Sequence, residues 1–149
     1  VIANEEDAEK VFGIRARESN IVSGHLSEEG YREVAQQLVD RFGVSKVAIT
    51  LRESLSASQN NWSALLYNTR EFYRSPVYKV HIVDRVGGGD SFCAGLIYGL
   101  LSGKSDRQAL EFAAAASCLK HTVFGDVNLM SVAEVEQLVE GDASGRVQR

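Results

Sequence analysis

The chain has 149 residues, 44% of them hydrophobic, a length and composition that suit one packed domain. Its 16 basic residues are unclustered and its net charge is −4, which argues against nucleic acid or an acidic membrane surface as partner, so a strongly anionic ligand has to be met locally. No apolar run is long enough to span a bilayer, and Cys93 and Cys118, lacking CxxC spacing, read as reduced thiols of a cytoplasmic protein.

The chain opens Val1-Ile2-Ala3-Asn4 without a methionine, as though entered in the last residues of a strand, and so reads as a piece of a longer protein. Residues 5–12 predict a short helix with acids in its first turn and Gly13 as its stop. After a polar connector, Tyr31, Val34, Ala35, Leu38, Val39 and Phe42 recur at helical spacing behind Ser27, and Gly43 ends that helix. Residues 46–51, Lys-Val-Ala-Ile-Thr-Leu, have the length and β-branching of a buried strand.

The serines and asparagines of residues 54–61 predict a loop, and residues 62–67, 71–74 and 77–83 follow as extended segments. Pro76 separates the last two and suits a central strand badly. Helices then dominate, over residues 89–101, 106–121 and 132–139, the last behind Ser131 and Glu134 in the S-x-x-E pattern of a capping box. The run Gly99-Leu100-Leu101-Ser102-Gly103-Lys104-Ser105 has three residues where a P-loop needs four before Gly-Lys-Ser, and reads as a glycine stop with Ser105 capping the next helix. Residues 141–149 form a polar tail. This order of elements predicts an α/β domain with a mainly parallel sheet and a ligand site at the carboxyl end of its strands.

One stretch there carries chemistry. Gly87, Gly88 and Gly89 stand between Asp84 and Asp90 where an extended segment runs into a helix. Without Cβ atoms, these residues let backbone N–H groups approach an anion closely, and the helix N-terminus adds its partial positive charge. Asp90 is placed beside that anion to accept a proton from an attacking hydroxyl. A dinucleotide fingerprint fails, because Phe92 stands where a third glycine is needed.

Asp84-Arg85-Val86-Gly87-Gly88-Gly89-Asp90-Ser91-Phe92 resembles the second signature of the ribokinase-like (PfkB) carbohydrate kinases, D-T-x-G-A-G-D-x-F. Thr50-Leu51-Arg52-Glu53-Ser54, the alanine-rich residues 111–122 and Ser144-Gly145-Arg146-Val147 extend the resemblance over essentially the whole chain, toward the branch of the family that acts on 2-keto-3-deoxygluconate. It implies a ribokinase-like three-layer α/β/α fold, of which residues 1–149 would be the C-terminal, nucleotide-binding part, the N-terminal sugar-binding and lid part being absent. It further implies ATP and Mg²⁺ as cofactors and a small-molecule sugar acid as phosphoryl acceptor, and it allows a homo-oligomer of the intact enzyme. Without the missing part, the chain alone is expected to be inactive.

By the same resemblance, Asp90 deprotonates the sugar's primary hydroxyl, and the amides around Gly87, Gly88 and Gly89 form an anion hole for the γ-phosphoryl group. Leu51, Arg52, Glu53 and Ser54 fall where the family packs a strand-to-loop segment against the nucleotide, and Ala114 and Ser117 where a helix lines the adenine pocket. Asp126 would touch the polar end of the sugar acid. Asn4-Glu5-Glu6-Asp7 aligns with the N-x-x-E magnesium motif, with Asp7 one methylene short, and Asp84 matches the first aspartate of the signature, which organises the turn and its cation environment. A metal role for Asn4, Asp7 and Asp84 is therefore indirect, and the first two are read equally as charge complementation at a helix start.

The chain also departs from the pattern. Arg85 replaces Thr, Gly88 replaces Ala in a change expected merely to loosen the turn, and Arg52 replaces a common glycine, from where it reaches either a phosphate or the surface. Two other readings stay open: a ribokinase- or fructokinase-type enzyme for another sugar, and a non-catalytic nucleotide-binding module, which would gain nothing from Asp90. His25, His81 and His121 lie far apart and are assigned no role.

Overall fold

The computed structural model of the chain describes residues 1–4, 7–14 and 28–141. Ten elements follow in chain order among them: β1 (Ile2–Asn4), α1 (Asp7–Phe12), α2 (Glu28–Phe42), β2 (Val47–Ser54), β3 (Gln59–Tyr67), β4 (Phe72–Arg74), β5 (Tyr78–His81), α3 (Gly88–Leu101), α4 (Asp106–Lys120) and α5 (Val132–Val139). Ser27, His25 and the residues 144–147 invoked from sequence lie outside the described residues, as do Glu5 and Glu6.

Period-two alternation builds three layers. Val47 and Ile49 of β2, with Leu65 and Tyr67 of β3, meet Tyr31, Val34, Ala35 and Leu38 of α2 on one face. Ala48, Ala64 and Leu66 point the other way, against Phe92 and Leu96 of α3 and Ala109, Leu110 and Ala113 of α4. Because both faces are covered, β2 reads as a continuous apolar run, as the sequence led one to expect. Leu38, Leu66, Phe92 and Leu110 are fully buried, each contributing about 1.5–3 kcal/mol of hydrophobic transfer.

The mainly parallel sheet expected from the element order is corrected to a mixed one in the described residues. β1 pairs with β2 in parallel, whereas β2–β3, β3–β4 and β3–β5 are antiparallel. Connection length explains the difference: helix α2 lies between the two parallel strands, while residues 55–58 are too few for a crossover and turn β3 straight back. The loop expected over residues 54–61 is thereby shortened at both ends. Asn60 and Asn61, poor strand formers, pair with Ser54 and Glu53 on one side and with Val80 and Lys79 on the other, so ladder pairing overrides their local preference.

Pro76 marks a bulge. β4 and β5 run along the same edge of β3, but the register slips by one residue between Leu65↔Arg74 and Trp62↔Tyr78. Ser75 repairs the interruption: its N–H donates to the Ala64 carbonyl at 2.9 Å, and its hydroxyl accepts the Ala64 N–H at 2.9 Å.

Helices α3 and α4 approach closely because Gly95 and Gly99 face alanines; a methyl group on either glycine would lie 3.0 Å from Ala113 Cα or 2.9 Å from Ala109 Cα. The connection between them follows the sequence reading, with Gly103 at φ 79° and the Ser105 side chain accepting from Gln108 N–H in a capping box. Ser131 and Glu134 form the expected box at the start of α5. Lys46 at the foot of β2 reaches both carboxylate oxygens of Asp106, at 2.7 and 2.8 Å, and so ties the sheet to α4. No helix among the described residues is long and apolar enough to cross a membrane.

Candidate active site

The glycine turn is held from several directions at once. Val83 and Asp84 donate their N–H groups to the His121 carbonyl at the end of α4, at 2.8 and 3.3 Å. The Asp84 carboxylate then accepts from Val86 N–H at 3.0 Å and, through its other oxygen, from Gly125 N–H at 2.9 Å. These two bonds hold its carboxyl below the usual carboxylate range. Arg85 donates to the Ala57 carbonyl at 2.9 Å and secures the turn to the β2–β3 hairpin, while the buried Ser117 hydroxyl donates to the Gly88 carbonyl at 2.7 Å.

The three glycines have different reasons to be glycine. Gly87 has φ 77° and caps α3 in the left-handed region, and a Cβ there would lie 2.0 Å from the Asp126 carbonyl oxygen. A Cβ on Gly88 would lie 2.7 Å from Cε1 and Nε2 of His121. The expectation that Gly88 merely loosens the turn is thus corrected: it makes room for an imidazole. Gly89 has no protein atom within 4 Å of that position, so packing does not require it, and its bare side faces a cleft.

Helices α4 and α5 begin with side-chain caps, but α3 has none. Gly88 N–H leans toward the Arg85 carbonyl at 3.4 Å and Ser91 N–H bonds Gly87 O at 2.9 Å. Between them, the N–H groups of Gly89 and Asp90 have no protein acceptor among the described residues. Unpaired amides at a helix start are a ready anion site. Of the three glycine amides expected from sequence to form an anion hole, Gly88 N–H leans on Arg85, whereas Gly87 and Gly89, like Asp90, have no protein acceptor among the described residues. Asp90, in the first turn of α3, is exposed, and its carboxylate has no hydrogen-bond partner among the described residues.

The adjoining cleft, of about 230 Å³, is lined by Asn4, Thr50, Arg52, Trp62, Arg85, Gly89 and His121. Strand and turn geometry thus gathers Asn4, Arg52 and Gly89, which lie 48 and 37 residues apart in sequence, around one opening. Two guanidinium groups make it a basic cleft in an acidic chain. His121, given no role from sequence, is buried here against Trp62, with ring centroids 4.8 Å apart. Its Nδ1 lies 2.7 Å from the Ser117 carbonyl, which fixes the proton on Nδ1 and leaves Nε2 on the side of Gly88. Burial lowers its pKa below the ordinary histidine value, the Ser117 bond opposes this, and Lys120, Arg85 and Arg52 reinforce the lowering.

The remaining expected positions have different surroundings, although Leu51, Arg52 and Glu53 together line a second cleft of about 250 Å³. Period two sends Thr50 and Arg52 to the first cleft, whereas Leu51 packs with the α2 face and Glu53 accepts from Asn61 Nδ2 at 2.7 Å. Ser54 is exposed at the end of β2. Ala114 and Ser117 are fully buried, so neither offers surface to a nucleotide in this arrangement; Ser117 supports the turn instead. Asp126 abuts the turn through its backbone carbonyl. Asn128 was missed as well: it bonds the Ser91 hydroxyl and the Ala116 carbonyl, joining the start of α3 to α4. A long-range clamp of this kind leaves no local sequence signal.

Asn4 and Asp7 cap each other reciprocally, Asn4 N–H to Asp7 Oδ2 at 2.9 Å and Asp7 N–H to Asn4 Oδ1 at 3.0 Å. With Asp84 occupied by two amides and no cluster of three His, Cys, Asp or Glu among the described residues, these groups do not make a direct metal site.

A three-layer α/β domain whose uncapped helix start, glycine turn and exposed acid open onto a basic cleft defines a phosphate-handling protein. The profile of the pfkB family carbohydrate kinases matches residues 1–132, and the chain belongs to that family. The 2-dehydro-3-deoxygalactonokinase of Haloferax volcanii is 30% identical over 112 residues, covering 75% of this chain and 33% of that protein. The crystal structure of 2-dehydro-3-deoxygluconokinase from Thermotoga maritima is 46% identical with a TM-score of 0.85, over 94% of this chain and 40% of that one. Ribokinase from Thermotoga maritima, 24% identical, has a TM-score of 0.64 over 93% of this chain and 41% of that one, and shares the fold. The chain thus spans about one-third to two-fifths of the length of these relatives.

Proposed function

We propose that this chain is the C-terminal, nucleotide-binding and catalytic-base part of an ATP-dependent kinase that phosphorylates the primary hydroxyl of 2-keto-3-deoxygluconate, giving the 6-phosphate and ADP. The observation that carries the reading is the pairing of unpartnered Gly89 and Asp90 amides with an exposed, unpartnered Asp90 carboxylate at one helix start. The 46% identity to the Thermotoga maritima enzyme supports the sugar acid.

In this reading the Asp90 carboxylate takes the proton of the hydroxyl as its oxygen forms the bond to the γ-phosphorus, and the bond from that phosphorus to the bridging oxygen of ADP breaks. The Gly89 and Asp90 amides and the start of α3 stabilise charge on the transferring oxygens, where fixed dipoles need no reorganisation. Arg52 and Arg85 draw the polyphosphate into the cleft. A Mg²⁺ ion, when bound with the nucleotide, would supply further charge compensation to the polyphosphate. The sugar-contacting surface is assigned to the part of the protein that the relatives have beyond the matched region.

The test uses the intact protein with ATP and a panel of acceptors, following ADP release and the position of the product phosphate. Turnover with 2-keto-3-deoxygluconate at least about tenfold above ribose and fructose in kcat/KM is expected, the order of discrimination available from sugar contacts. Turnover confined to ribose or fructose, or none with any acceptor, overturns the assignment. The identity to the Haloferax volcanii protein favours one second reading, the galactonate epimer as acceptor, and the same panel distinguishes it.

A further inference from the structure

Lys120 is the last residue of α4 and is fully buried, at 0% exposure. Buried lysines are rare because an ammonium loses its hydration on burial and needs partners in return. Yet its Nζ makes one long hydrogen bond, 3.3 Å to the Val123 carbonyl, and no carboxylate pairs with it among the described residues. A stabilising core would be served better by a leucine there. What surrounds this charge is the support of the glycine turn. Val123 begins the loop whose Gly125 N–H bonds Asp84 and whose Asp126 carbonyl packs on Gly87. Asp84, held anionic first by the Val86 and Gly125 amides, is also within the electrostatic reach of Lys120, and so is His121 in the cleft wall.

We propose that Lys120 is a positioning residue of the phosphoryl-transfer site, its buried ammonium holding the 123–126 loop and the Asp84 carboxylate together so that the Gly89 and Asp90 amides stay aimed at the transferring phosphate. The inference rests on the kinase reading above. Lys120 bonds the loop at Val123, the loop's Gly125 N–H bonds Asp84, Asp84 clamps both sides of the turn, and the turn presents the amides. A neutral side chain of the same length would fill the space but give up the bond to the Val123 carbonyl and the charge within electrostatic reach of Asp84. Misplacement of reacting groups by about 1 Å costs on the order of a hundredfold in rate.

The experiment is a double-mutant cycle in the full-length protein, reading kcat and the KM values for ATP and sugar separately. Lys120→Met should lower kcat by about 30- to 100-fold while moving the sugar KM less than about threefold. Lys120→Arg, which keeps the charge, should restore most of kcat. In an Asp84→Asn background, where no carboxylate needs balancing, adding Lys120→Met should cost less than about threefold. Near-normal kcat in Lys120→Met, or a full additive loss in the Asp84→Asn background, overturns the proposal. If the wild-type protein phosphorylates no acceptor, the functional reading fails by itself, and positioning is then read from amide exchange. Faster exchange at Val86 and Gly125, whose amides bond Asp84, in Lys120→Met but not in Lys120→Arg supports it, and unchanged exchange in both refutes it.

Discussion

Adding one methyl group to each of two neighbouring glycines should separate folding from ligand binding. On Gly88 the methyl carbon would lie 2.7 Å from the His121 ring, where ordinary contact begins near 3.4 Å, so the ring has to retreat by roughly 0.7 Å. It is pinned by the 2.7 Å bond from Nδ1 to Ser117 O and by Trp62, so Gly88→Ala should destabilise the protein by about 1–3 kcal/mol, the usual range for overpacking. On Gly89 no protein atom lies within 4 Å, and the substitution should leave stability unchanged or raise it by up to about 1 kcal/mol, since alanine suits a helix better. That methyl group would instead occupy the approach to the unpaired amides. Losing one hydrogen bond to a charged phosphate costs about 2 kcal/mol, or roughly thirtyfold in Kd. Thermal melting and calorimetric titration of the intact protein with a non-hydrolysable ATP analogue read the two effects separately. A Gly89→Ala protein that binds the nucleotide normally, or a Gly88→Ala protein as stable as the parent, would refute the division of roles among the glycines.

Other perturbations follow from the same geometry. His121 is neutral in the folded state with a pKa lowered from 6.5, so its contribution to stability is complete above about pH 6.5 and is lost as pH falls through the lower folded value. Melting temperature followed from about pH 8 to about pH 5 should show this decline, and His121→Asn should flatten it. Asn4→Ala removes the reciprocal cap of α1 and should cost about 1 kcal/mol, with the Mg²⁺ concentration for half-maximal turnover moving less than about threefold. A tenfold rise in that concentration would instead make Asn4 part of the metal's surroundings. Ser75→Ala deprives the buried Ala64 N–H of its acceptor, and a loss of about 1–3 kcal/mol in denaturant titration is expected.

Helices and the glycine turn were legible because their signals are local: Ser105 and Ser131 cap where their neighbours predict, and Gly43 and Gly103 stop helices in the left-handed region. The sheet was less so. Nothing within residues 54–61 tells a loop from a hairpin whose asparagines are held by Glu53 and Lys79 across the ladder. Sequence read Asp90 and the glycines as an anion site from their spacing, but it could not tell that Gly88 answers to His121 while Gly89 answers to the cleft. His121 and Asn128 act across 30 or more residues of chain, through contacts with the start of α3 that only the folded packing creates. Strand alternation alone, by contrast, accounts for Thr50 and Arg52 sharing the cleft beside the glycine turn.

In the proposed reaction the acid at the start of α3, Asp90, takes the sugar's proton. Asp90→Asn in the intact protein, assayed with saturating ATP and 2-keto-3-deoxygluconate, tests it most directly. A fall in kcat of at least about a hundredfold is expected, with ATP affinity changed less than about threefold, because the amides remain and only the base is lost. Near-normal kcat in that variant would mean that Asp90 is not the base.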